Sequence, residues 1–131
     1  MWGSATDGCQ LYVASRKGFS DNTGAWFAVD PGTGTILWTT SDPGSASDHA
    51  ATVGPVSVAN GVVYAGSENV NGATRFGLDA KTGKILFSFN SGSSVAGEAA
   101  IANGVVYWGS GYSKAGLTGN QKIYAFTVSG K

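Results

Sequence analysis

Three side chains in this sequence have chemistry beyond packing: the indole of Trp2, the imidazole of His49 and the carboxylate of Glu98. A carboxylate can ligate a hard cation such as Ca²⁺ or accept a proton. An indole offers a flat apolar face for stacking. A histidine beside an acid, here Asp48, can act as a base or orient an oxygen. Each also has a plainer reading: Trp2 as a plug in a channel mouth, Glu98 as a cap on turn amides, His49 as a solvated loop residue. Arg75 could meet a carboxylated ligand or form a surface salt bridge. The single cysteine, Cys9, excludes an internal disulfide and reads as inert.

What must position these groups is a repeat. Ala59-Asn60-Gly61-Val62-Val63-Tyr64 recurs as Ala102-Asn103-Gly104-Val105-Val106-Tyr107, 43 residues later, with a fainter copy at Asp7–Tyr12. Such spacing marks stacked supersecondary units. In the middle unit, Val56–Ala59 and Val62–Ser67 flank Asn60-Gly61, whose two residues suit the positive φ of a two-residue hairpin. Thr74–Asp79 then meets Ile85–Asn90 through a turn that Asp79 can open and Gly83 can close. The unit is a four-stranded antiparallel meander. The first unit supplies Gly3–Thr6, Gln10–Ser15, Trp26–Asp30 and Ile36–Thr40; the last supplies Glu98–Ala102, Val105–Ser110 and Lys122–Thr127. The second strand of the middle unit has no polar side, which predicts cover on both faces, as in the blades of a propeller. The predicted fold is all-β: a single partial β-propeller over residues 1–131, with blades at about 2–40, 53–90 and 96–128, the last without its outer strand.

Up-and-down connectivity sends the tight turns to one face and the longer loops, Lys17–Ala25, Ser41–Thr52, Glu68–Ala73, Ser91–Gly97 and Gly111–Gln121, to the other. Function concentrates in loops carried by a rigid scaffold, so the loop face is the candidate. Aligning Asp7 with Asn60 and Asn103 puts Trp2, Pro55 and Glu98 at one position, where the innermost strand begins near the axis. That position changes character from unit to unit while the turns do not. Trp26, Trp38, Trp108 and Tyr112 read as core or inter-blade packing.

Composition closes off other classes. Charged residues make up 12% and the net charge is zero, so no electrostatic footprint for nucleic acid is present. No apolar run approaches a membrane span. Met1-Trp2-Gly3 leads into strand-like sequence without the regions of a signal peptide. No phosphate-binding glycine loop, nucleophile triad or zinc cluster occurs.

Ala28-Val29-Asp30-Pro31-Gly32-Thr33-Gly34-Thr35-Ile36-Leu37-Trp38 resembles the repeat of pyrroloquinoline-quinone (PQQ)-type propellers, whose Ala-x-Asp-x-x-Thr-Gly-x-x-x-Trp motif docks a Trp between blades. The copy at Gly77–Phe87 departs at its first and last positions. Trp2–Gly8, Gly54–Gly61 and Val106–Tyr112 are most similar to the carboxyl-terminal part of polyvinyl-alcohol-dehydrogenase-like proteins. The resemblance implies a quinone-dependent alcohol dehydrogenase with PQQ and Ca²⁺, a periplasmic or extracellular location, and cofactor contacts at Trp2, Glu98 and His49. The haem-attachment cysteines and the vicinal cysteine pair found among such proteins have no counterpart in a chain with one cysteine.

Such propellers usually have eight blades, so fewer than three complete ones leave sheet faces bare. An apolar patch of roughly 400 Å² is large for a soluble monomer; at ~25 cal/mol per Å² it leaves on the order of 10 kcal/mol of burial unrealised. The expectation is a carboxyl-terminal piece, or a protomer, inactive alone, whose partners are the remaining blades, other copies or another chain. The alternative is a non-catalytic repeat module that binds protein or glycan or builds an assembly.

Overall fold

A computed structural model describes residues 3–16, 24–44, 52, 54–111, 113 and 117–128. Eleven strands and no helix occur among them: β1 (Ala5–Thr6), β2 (Leu11–Ser15), β3 (Ala25–Val29), β4 (Ile36–Ser41), β5 (Ser57–Ala59), β6 (Val62–Gly66), β7 (Arg75–Asp79), β8 (Ile85–Phe89), β9 (Ala99–Ala102), β10 (Val105–Ser110) and β11 (Lys122–Thr127). They form antiparallel meanders β1-β2-β3-β4 and β5-β6-β7-β8 and a three-stranded sheet, β9-β10-β11. The first strands touch in series, β1 on β5 and β5 on β9. Successive sheets therefore fan out from one side as blades of a partial propeller.

The turns follow from their residues. Asn60 and Gly61 have φ of 50° and 76°, and Asn103 and Gly104 have 50° and 75°. Between β3 and β4, Asp30 Oδ1 accepts the amides of Gly32 and Thr33 at 2.8 and 2.9 Å, and Gly34 sits at φ 73°. Asp79 and Gly83 repeat the device, and each turn follows a β-bulge. The first hairpin corrects the sequence reading. Thr6 pairs with Leu11, so its loop has four residues, Asp7–Gln10, where Ala59 and Val62 enclose only two. Asp7 closes this longer loop by accepting Cys9 N and Gln10 N at 2.9 Å each and the Tyr12 hydroxyl at 2.7 Å.

Two apolar layers hold the blades face to face. Tyr12, Ala14, Trp26, Ala28 and Trp38 of the first blade meet Val63, Ala65, Phe76 and Leu78 of the second. Tyr64 of the second meets Val106 and Trp108 of the third. Strand β6 is thus covered on both sides, as its lack of a polar face required. Trp38 Nε1 donates to the Ala80 carbonyl at 2.9 Å, and Thr40 Oγ1 donates to Gly83 O at 2.7 Å, tying the outer edge of one blade to the next blade's turn. Between the second and third blades a phenylalanine pair, Phe87 and Phe126 with centroids 6.3 Å apart, stands there instead.

Glycines report how tightly the layers are packed. Within the second blade the Phe87 ring lies over Gly77, its partner across β7 and β8, leaving no room for a Cβ, and a Cβ on Gly66 would come within 2.7 Å of Val95. Gly109 holds in β10 the place that Gly66 holds in β6, yet a Cβ there meets nothing within 4 Å. Gly77→Ala should therefore destabilise the chain by about 1–3 kcal/mol, the usual cost of forcing atoms into a packed layer. Gly109→Ala should cost far less in the same urea titration; equal losses would contradict the assigned packing.

Candidate functional site

The ten buried polar or charged residues among those described lie toward the loop face: Asp42, Thr52, Ser67, Asn69, Thr74, Arg75, Ser91, Ser93, Ser94 and Ser110. The turn-face end of the same layers is apolar. Polar groups gather at the loop ends because backbone leaving the ladders has free donors and acceptors that need partners. Ser93 Oγ donates to Thr118 O at 2.6 Å, Ser94 Oγ to Glu68 O at 3.1 Å, and Asn120 Nδ2 to Ser91 O at 2.7 Å. Ser93–Ala96 is buried as a result, so the Ser91–Gly97 loop is for the most part an inter-blade staple rather than a free binding loop.

The axial position needs re-registering. Ala5, Ser57 and Ala100 pair with Tyr12, Tyr64 and Tyr107, so Gly3, not Trp2, shares a column with Pro55 and Glu98. The extra residues of the Asp7–Gln10 loop caused the slip. Gly3 lies against Pro55, where a Cβ would come within 2.8 Å of the proline Cβ. Glu98 is exposed just before β9, and the adjacent Gly97 carbonyl accepts Trp108 Nε1 at 2.8 Å. Trp2 and His49 lie outside the described residues. Among the described residues no group of three or more His, Cys, Asp or Glu could hold a metal ion.

Arg75 is not at the surface, as a salt bridge there would require. It is fully buried. Its guanidinium lies 4.5 Å from the Tyr124 ring centroid and 5.6 Å from that of Trp108, and Nη2 donates to Gly109 O at 2.8 Å. Nε and Nη1 have no hydrogen-bond partner. Burial lowers its pKa to about 10, so it stays charged at neutral pH. The register explains the placement: Arg75 pairs with Gly66 as Trp26 pairs with Ala14, and the Trp26 ring lies against Phe76 with centroids 4.9 Å apart and the planes tilted by 49°. Arginine takes the place of tryptophan against the next blade's aromatic rings, its guanidinium lying over Tyr124 and Trp108 where an indole packs on Phe76 in the preceding blade. Aligning Asp30 with Asp79 in the sequence puts Trp26 and Arg75 in one column, a signal that strand-by-strand reading passed over.

Asp42 is buried at the end of β4, accepting from Gly44 N at 3.0 Å and from the Ser67 hydroxyl, with Oδ2 unpartnered. Burial pushes its carboxyl above the ordinary range, partly offset by those bonds. Asp7 is the opposite case: the Gln10 amide, the Tyr12 hydroxyl and the Cys9 amide hold it down to about 2.

The open front of the third blade is the other exposed feature. Tyr107 and Ile123 take the positions of Tyr64 and Arg75, yet they are 45% and 80% exposed. On the facing side of the first blade, Ile36 and Leu37 are exposed as well.

No protein-family model and no curated protein matches the chain. Solved structures do. The quinohemoprotein alcohol dehydrogenase of Comamonas testosteroni aligns over 99% of this chain with a TM-score of 0.70 and 24% identity, using 20% of its own length. BamB from Moraxella catarrhalis aligns over 98% with a TM-score of 0.66 and 18% identity, using 34% of its length. A europium-containing methanol dehydrogenase gives 0.66 and 18%, using 23% of its length. The chain spans about a fifth to a third of these proteins, and what it shares with them is the propeller fold.

Two outcomes test the buried charges. Arg75→Lys should destabilise by about 1–3 kcal/mol, because an ammonium neither stacks as a plate nor keeps the guanidinium geometry. A neutral effect by chemical denaturation would contradict the stacking role. For Asp42, a folded pKa above the unfolded one penalises the charged native state; the penalty is full above the raised value and vanishes as pH falls into the ordinary aspartate range. Asp42→Asn should therefore raise the melting temperature near pH 7 and lose that advantage below about pH 4. An equal shift at both pH values would place the effect elsewhere.

Proposed function

We propose that this chain supplies three successive blades of a quinoprotein-type propeller of the alcohol-dehydrogenase kind and works only inside a larger ring. The observation that carries the reading is the front of the third blade, where Tyr107 and Ile123 are 45% and 80% exposed at inter-blade positions and a Cβ on Gly109 would meet nothing within 4 Å among the described residues. The match of the chain to only part of each propeller supports it. Within that reading, the likeness of its repeats to polyvinyl-alcohol-dehydrogenase-like proteins makes an alcohol the substrate and a periplasmic or extracellular setting the place of action.

The described residues do not by themselves fit PQQ and Ca²⁺. Glu98 is a single exposed carboxylate at the axial column, and Arg75 is sealed between rings, out of reach of a quinone carboxylate. No chemical step is assigned to them. The part proposed for Glu98 is one ligand or proton acceptor at the mouth of a completed ring, with Trp2 as a stacking face and His49 as a polar contact. A non-catalytic propeller that binds protein or glycan or builds an assembly is the second reading, favoured by the stapled Ser91–Ala96 loop, which offers little surface for a small ligand.

Sedimentation velocity at micromolar concentration tests the ring. The chain should associate, with itself or with a polypeptide that carries further blades, and Gly109→Val should abolish association while leaving its own unfolding midpoint nearly unchanged. A monodisperse monomer that ignores further blades would overturn the proposal. With the ring complete, PQQ and Ca²⁺ should support dye-linked alcohol oxidation; an assembled ring without turnover would favour the second reading.

A further inference from the structure

The two inter-blade layers bury opposite charges, Asp42 in the first and Arg75 in the second. Trp26 pairs with Thr40 and Arg75 with Phe89, so Asp42 and Ser91, each two residues further on, correspond. Tyr64 and Tyr107 correspond, and so do Ser67 and Ser110 three residues later. In the first layer the Asp42 carboxylate accepts the Ser67 hydroxyl. In the second, Ser91 stands where that carboxylate would be, and its hydroxyl is engaged by Thr74 Oγ1 at 2.8 Å and the Ser93 carbonyl at 2.9 Å. Ser110 Oγ is left buried without a partner, as are Nε and Nη1 of Arg75. The second layer thus holds a cation and a spare hydroxyl where the first holds an anion bound to one.

We infer that the loop end of the second layer is a binding site for a small monovalent anion of chloride size, held between Arg75 and Ser110. The site lies within this chain and does not depend on the open-ring reading. The Gly109 carbonyl holds Arg75 Nη2 at 2.8 Å, which brings the guanidinium to the residue before Ser110. Side chains alternate along β10, so Ser110 points into the same layer as the fully buried Trp108. Arginine nitrogens only donate hydrogen bonds, and a serine hydroxyl can donate one too. A water molecule brings two protons that need acceptors, and the Gly109 carbonyl already serves Nη2. An anion only accepts. It also offsets a buried charge flanked by two rings, on which no carboxylate among the described residues acts.

The ligand is small because Tyr124 and Trp108 close over the guanidinium. Lys122 marks the way in. It pairs with Ser110 across β10 and β11, so the two share a face, and it is exposed at the rim. A second positive charge there draws anions toward the loop end. The corresponding positions of the first two blades, Ala25 and Thr74, are uncharged.

Urea unfolding of the full chain in sodium chloride and in sodium methanesulfonate, at equal ionic strength, tests the site. Methanesulfonate carries the same charge on a larger anion. Each tenfold rise in chloride beyond half-saturation should raise the folding equilibrium constant by up to about tenfold, and methanesulfonate should leave it nearly unchanged. Ser110→Ala removes a hydroxyl that has no partner, so the chain should fold as before. It should then need about tenfold more chloride for the same gain, because one hydrogen bond to the ion is lost. Ser91→Asp restores a carboxylate at the place of Asp42 and should abolish the chloride dependence. Crystals soaked in bromide should show an anomalous peak between Arg75 and Ser110. Equal stability in the two salts, or a chloride dependence that both substitutions leave untouched, would overturn the proposal. A bromide peak without chloride linkage would mean an adventitious ion only and would overturn it too. None of these readouts involves association, so the open-ring reading stands or falls separately, on Gly109→Val.

Discussion

A β-sheet that is apolar on both faces needs a neighbour on each side, and this requirement governs the chain. Within it, the middle blade satisfies the rule on both sides, through the tilted Trp26–Phe76 contact toward the first blade and the Tyr64–Trp108 contact toward the third. The first and third blades satisfy it on one side only. The same residue types that make a good interior in the middle, a tyrosine on the second strand and a small residue beyond it, are left facing solvent at Tyr107 and Gly109. The repeat thus gives a direct comparison of covered and uncovered copies of one surface inside a single molecule.

The two inter-blade layers solve their shared geometry with different chemistry. The first uses a tilted indole–phenylalanine contact and an indole-to-carbonyl hydrogen bond at Trp38. The second uses a buried guanidinium between aromatic rings and a phenylalanine pair. A charge at that depth with two unpartnered nitrogens is costly unless stacking and the Gly109 bond offset it. Among the described residues, buried polar groups sit at the loop ends of the layers and apolar ones at the turn ends.

Much of the fold was legible because local rules suffice for it. Asn60-Gly61, Asn103-Gly104 and the Asp–Gly turns state their own geometry, and the repeat carried from unit to unit placed the eleven strands found among the described residues. The axial column was misread because loop length is not written in the turn residues: Asp7-Gly8 looks like a two-residue hairpin, but Tyr12 and the Cys9 and Gln10 amides recruit Asp7 into a four-residue one. Arg75 was misread because burial of a charge is decided by the neighbouring blade, which single-strand patterning does not see. The Ser91–Ala96 staple escaped for the same reason, its partners Glu68 and Thr118 lying 26 and 25 residues away from Ser94 and Ser93.

The central claim is that the front of the third blade is an inter-blade surface awaiting its neighbour. Hydroxyl-radical footprinting of Tyr107 against Tyr64, in the dispersed chain and in its assembled form, measures this directly. Tyr107 should be modified much faster than Tyr64 when the chain is dispersed and should fall to the level of Tyr64 on assembly. Tyr107 remaining fully reactive in the assembled form, or matching Tyr64 in the dispersed one, would contradict the account.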